Sequence, residues 1–88
     1  MKVLFVCTGN TCRSPMAAEL YKRLFPNHSV SSAGLFADGS AYSEKSAAVL
    51  AEIGLELSGA SRQIEQDDLE CERFFVMTDS HKMALLSI

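Results

Sequence analysis

The stretch Cys7-Thr8-Gly9-Asn10-Thr11-Cys12-Arg13-Ser14-Pro15 decides how the rest of the chain is read. Before it runs Val3-Leu4-Phe5-Val6, a short continuous apolar segment of the kind buried on both faces of a parallel sheet. After it begins a helical periodicity, with Ser14 read as the N-cap and Pro15 as the first helical residue. Strand, short loop and helix N-terminus together make an anion site, because loop amides and the helix dipole converge on one point. A cysteine at the entrance of such a loop is placed where a thiolate is favoured. An arginine at its exit can hold two oxygens of a tetrahedral oxyanion at once. A sulfur nucleophile facing a cradled oxyanion is an arrangement for covalent group transfer.

Each residue also has a plainer reading. Cys7 alone could be a small buried hydrophobe at a strand end. Arg13 could be a solvated charge, yet a cation in the first helical turn opposes the dipole, which points to an anion that it meets. Gly9 and Asn10 tolerate unusual backbone angles, which serve inward-facing amides or a simple turn equally well. The three cysteines Cys7, Cys12 and Cys71 and the histidines His28 and His81 lack the paired spacing of a metal site, so no metal and no organic cofactor is expected. Cys71 reads as inert, and His28 and His81 as surface or loop residues.

Eighty-eight residues set the scale of one small domain, 1–88, with a modest core. A 48% hydrophobic and 22% charged composition belongs to a folded chain rather than a disordered one. The net charge of −3 comes without a basic stripe, so nucleic acid is not an expected partner. No apolar segment reaches membrane-span length, and Cys7 and Gly9 interrupt the first apolar run too early for a signal-peptide core. An odd cysteine count without an export signal favours a reducing, cytoplasmic setting.

Read in order, the chain alternates strands and helices. Residues 2–6 form a strand. Residues 16–25 form a helix with Ala17, Leu20, Tyr21, Leu24 and Phe25 on one face, stopped by Pro26-Asn27. A strand centred on Val30 follows at 28–32, then a loop through Gly34 and Gly39. A second helix over 43–53 buries Ala47, Leu50, Ala51 and Val49, with Gly54 at its C-terminus. An acidic turn at 65–70, a third strand at 74–77 and a last helix capped by Asp79 complete the pattern. The expected fold is α/β: a three-layer α/β/α arrangement with a parallel sheet of three strands and right-handed crossovers. Ligands in such sheets bind at the carboxyl ends of strands, where the Cys7 loop lies.

Cys-x5-Arg-Ser-Pro after the first strand resembles the low-molecular-weight protein tyrosine phosphatases. Ser32-Ala33-Gly34 and Val76-Met77-Thr78 before His81-Lys82 are similar to further segments of that family. The resemblance implies a C-terminally truncated version of that fold and a phosphatase acting on phosphorylated protein, with inorganic phosphate or another oxyanion as a simpler ligand. By the same resemblance Cys7 is the nucleophile. Thr8, Gly9, Asn10, Thr11, Cys12, Arg13 and Ser14 hold the phosphate, and Arg13 clamps the transition state. Ser14 is implied to hydrogen-bond the thiolate and help it leave, Ser32 to hold the loop asparagine, and Cys12 to form a reversible, protective disulfide with Cys7. Thr11 resembles the bacterial protein-arginine phosphatase branch, where a hydroxyl can hydrogen-bond a phosphoramidate.

The family's Asp-Pro-aromatic general acid has no match here, since neither Pro15 nor Pro26 follows an aspartate. General acid catalysis is worth about 10²–10⁴-fold, so poor leaving groups are expected to suffer most. A histidine that supports the loop asparagine in many members is also missing from 58–62. The third strand is expected to be an apolar edge open to pairing, hence a dimer or larger assembly. Beside the phosphatase stand two other functions: a module that binds phosphate or phosphoprotein without turnover, and an arsenate reductase, which needs a cysteine relay.

Overall fold

The computed structural model describes residues 1–76 and 83. Strand β1 (Lys2–Cys7) lies between β2 (Ser29–Gly34) and β3 (Arg73–Val76), all three parallel, in the order β2-β1-β3. The register sets Cys7 opposite Gly34 and Val6 opposite both Ala33 and Val76. Helix α1 (Arg13–Leu24) makes the first crossover, and helix α2 (Glu44–Ala51) with a 3-10 turn (Gln66–Glu70) lies on the second.

The apolar run of β1 is continuous because both faces are covered. Val3 and Phe5 pack with Ala18 of α1, joined by Ala17, Tyr21 and Val30. Leu4 and Val6 pack with Ala33 on the other face, against Leu35, Ile64, Cys71, Phe74 and Val76. Phe5 stacks on Phe75 with ring centroids 5.0 Å apart and meets Tyr21 edge-on at 5.6 Å. The structure is therefore a parallel α/β sheet with its loop at the carboxyl end of the central strand.

Three details differ from the sequence reading. The first helix starts at Arg13, with Cys12 at the N-cap position, so Ser14 lies inside the first turn and is not the cap. Its hydroxyl is engaged by the loop instead, which fixes the rotation of α1. Ser14, Pro15 and Ala18 face inward, whereas Leu20 and Leu24 turn to solvent, Leu24 being 72% exposed. Likewise α2 is shorter than 43–53 and buries Ser46 and Leu50, leaving Val49 and Ala51 outside. Ser43 caps it by accepting from the Ser46 amide at 3.3 Å. Gly54, at φ 78°, ends it with paired bonds from Gly54 N–H to Ala51 O and from Leu55 N–H to Leu50 O. The acidic turn is 3-10 helical, with reciprocal side-chain caps between Glu65 and Asp68. Expectations about Met77, Thr78, Asp79, His81, Lys82 and a last helix lie outside the described residues. Among the described residues no helix is long and apolar enough to cross a membrane.

Candidate active site

Cys7 ends β1, and its sulfur is buried under the loop it opens. Two polar groups meet Sγ: the Asn10 amide N–H, which donates at 3.2 Å, and the Ser14 hydroxyl, at 2.9 Å. Asn10 turns its amide inward by adopting φ 55°, in the left-handed region that Asn enters at modest cost. Its side chain is fully buried and spends every polar atom. Nδ2 donates to Ser14 Oγ at 2.8 Å and to Ser32 Oγ at 3.0 Å, while Oδ1 accepts from the Arg62 amide at 2.9 Å. Because Ser14 Oγ accepts from Asn10, its own proton is available to Cys7 Sγ.

The loop's entrance is tied to the end of β2. Leu35 N–H donates to Cys7 O at 3.0 Å and Phe36 N–H to Thr8 O at 2.9 Å. This approach needs Gly34, where a Cβ would lie 2.7 Å from Thr8 O and 3.1 Å from Asn10 Cβ. Thr8 is exposed, and Gly9 and Thr11 are half-buried. At the outer arm, Ser43 N–H donates to Thr11 O at 2.8 Å, and Cys12, an exposed free thiol, accepts from Ser46 Oγ at 3.0 Å. Arg13 opens α1 exposed and forms no ion pair with any described residue. Asn10 and Ser14, with Ser32 behind Asn10, are thus gathered at Cys7, whereas Thr11 and Cys12 bond to the α2 segment and Thr8 and Arg13 lie exposed.

The support missed from sequence is Arg62. Its amide donates to Asn10 Oδ1 from the stretch 58–62, which holds no histidine, and a main-chain N–H leaves no mark in a sequence. Its side chain is fixed by a two-pronged ion pair with Asp68, at 2.6 and 3.0 Å. That pairing holds the Asp68 carboxyl below the usual carboxylate range and raises the Arg62 guanidinium. Asp38 is also held low, by bonds from the Ser40 hydroxyl and amide. Cys71 stands apart, packed against the Leu4, Val6 and Ala33 cluster, where burial pushes its thiol up. No cluster of three metal-ligating side chains occurs among the described residues.

A buried cysteine at the carboxyl end of a central parallel strand, ringed by a loop that opens a helix, defines a class of cysteine-bearing oxyanion-loop α/β proteins. Within that class, residues 2–88 match the low molecular weight phosphotyrosine protein phosphatases, and the chain belongs to that family. The low molecular weight protein-tyrosine-phosphatase PtpB of Staphylococcus haemolyticus is 41% identical over 88 residues, covering 99% of this chain. The chain spans 64% of the length of that relative. The YwlE arginine phosphatase of Geobacillus stearothermophilus superposes with a TM-score of 0.89 at 39% identity, over 98% of this chain and 58% of its own. A YwlE arginine phosphatase in which serine replaces the active-site cysteine and is phosphorylated superposes at 0.93 with 33% identity, over 99% and 61%.

Proposed function

We propose that this chain dephosphorylates protein by way of a phosphocysteine at Cys7. The observation that carries the reading is the sulfur itself, buried at the floor of an anion loop with the Asn10 amide and the Ser14 hydroxyl both directed at it. Two donors stabilise charge on sulfur before attack and again when sulfur leaves. Cys7 Sγ attacks phosphorus, the bond to the leaving group breaks, and water then cleaves the S–P bond to release phosphate. Arg13 and the amides of the loop from Thr8 to Ser14 hold the equatorial oxygens, which carry the transition-state charge. Nucleophile, clamp and water carry these steps where the leaving group departs as an anion, and a poorer leaving group takes its proton from solvent water.

The substrate favoured is a phosphoarginine protein over a phosphotyrosine one. Thr11 presents a hydroxyl at the loop, and two of the similar structures are arginine phosphatases. Among the described residues no carboxyl is seen placed to protonate the leaving group. Asp38 and Asp68 are both held ionised by their partners, so neither is disposed to serve as an acid. That observation favours a second reading, in which the chain binds phosphate or phosphoprotein with little turnover. The outer edge of β3, which pairs with no other described strand and carries the 41%-exposed Phe75, supports self-association. A net charge of −3 supports a protein rather than a nucleic-acid partner, and three free cysteines support a reducing, cytoplasmic setting.

Hydrolysis of para-nitrophenyl phosphate by the chain and by Cys7→Ser tests the proposal, because its good leaving group barely needs an acid. Turnover by the wild type alone supports the enzyme, and phosphoarginine and phosphotyrosine peptides then rank the substrates. Phosphate binding without turnover in either supports the binding module. Mass in solution tests assembly, and a monomer at all concentrations counts against pairing through β3.

A further inference from the structure

The two halves of the loop are held differently. The inner half is fixed by the Asn10 side chain and by the two amides after Gly34. In the outer half, between Asn10 and the anchored Ser14, the side chains make no such bond within the loop among the described residues: Cys12 sits at the N-cap of α1 with φ −136° and ψ −75°, and no side chain caps it. What reaches this arm comes from α2. Ser43 N–H takes Thr11 O, and Ser46 Oγ donates to Cys12 Sγ from a site only 3% exposed. Most of α2 is open to solvent, so a buried serine on it with its hydroxyl spent on the loop calls for a reason. The far end of the helix is pinned as well, by Arg23 Nη1 donating to Ile53 O at 2.9 Å.

We infer that Ser46 is a positioning residue for the oxyanion loop, acting through Cys12. By holding the Cys12 side chain against α2, it fixes the peptide units on either side of that residue. Those units carry the amides of Cys12 and Arg13 and set the direction from which the Arg13 side chain departs. Anion loops depend on amides aimed to a fraction of an ångström, so a slack outer arm weakens the grip on all oxygens at once. The inference rests on the reading of the loop as an oxyanion site.

The test uses inorganic phosphate and the whole 88-residue chain. Ser46→Ala is expected to weaken phosphate binding, measured by calorimetry, about threefold to tenfold, the size of one hydrogen bond. Ser46→Thr, which keeps the hydroxyl, restores it. In a Cys12→Ala background Ser46→Ala has no further effect, which a general loss of helix packing does not predict. Amide hydrogen exchange without phosphate gives an independent readout at Met16, whose N–H bonds to Cys12 O at 3.2 Å. Exchange there is expected to quicken by a similar factor in Ser46→Ala and to return in Ser46→Thr. Equal phosphate affinity in wild type and Ser46→Ala overturns the inference while leaving the function standing. The same loss in the Cys12→Ala background overturns it too. If the wild type binds no phosphate, the functional reading falls, and unchanged exchange at Met16 overturns the role of Ser46 separately.

Discussion

Replacing Asn10 by alanine removes three side-chain hydrogen bonds, to Ser14, Ser32 and the Arg62 amide, at a fully buried position. Each neutral bond contributes about 1 kcal/mol net, and the partners left behind lie where water does not reach them easily. Alanine must also hold φ 55°, which costs about another 1 kcal/mol. The expected loss is about 3–4 kcal/mol, against a total of about 4–13 kcal/mol for a chain of this length. In thermal melts this corresponds to a fall of about 15–25 °C. Asn10→Gly separates the two causes, since glycine accepts the left-handed conformation freely. It is expected to recover about 1 kcal/mol of the loss and none of the phosphate binding. Urea titration followed by far-UV circular dichroism gives the stabilities, and calorimetry gives phosphate affinity. An Asn10→Ala protein within about 1 kcal/mol of wild type that still binds phosphate would refute the claim that this side chain holds the loop.

Gly34→Ala places a methyl group 2.7 Å from Thr8 O, so it is expected to cost about 1–3 kcal/mol and to lower phosphate affinity, with Ala37→Gly giving little relief because the clash is with backbone. Asp68→Asn removes the charged partner of Arg62 and, at this partly exposed site, is expected to cost about 1 kcal/mol at neutral pH. Because the Asp68 carboxyl lies lower in the folded than in the unfolded chain, the ion pair's contribution is complete above the ordinary carboxylate value of about 3.9. It is lost as pH falls through the lower folded value, so the urea midpoints of wild type and Asp68→Asn converge in acid. With iodoacetamide near neutral pH, mass spectrometry is expected to find exposed Cys12 modified well before Cys71, whose thiol burial holds protonated.

Much of this was legible because local chemistry and global fold agree around residue 7. An unbroken apolar run could only be a strand covered twice, and the loop residues bore their spacing openly. The rotation of α1 was legible only in part. Of the face that periodicity favoured, Ala17 and Tyr21 pack against the core, while Leu20, Leu24 and Phe25 are exposed and the helix buries Ala18 and Ser14, the latter bonded to Cys7. The contacts of Arg62 and Ser46 with the loop join residues 52 and 34 positions apart and involve a main-chain amide and a common serine. Nothing in the local pattern distinguishes such groups from their neighbours.

The bond between Asn10 and Arg62 also orders events during synthesis. The amide that locks the loop is made 52 residues after the asparagine it holds. At about 5–20 residues per second, the delay is about 3–10 s. During that interval the Cys7 sulfur lacks the fixed loop that surrounds it in the folded chain. Any protection that this thiol needs from oxidation is therefore needed first by the newborn polypeptide, before there is a folded protein around it.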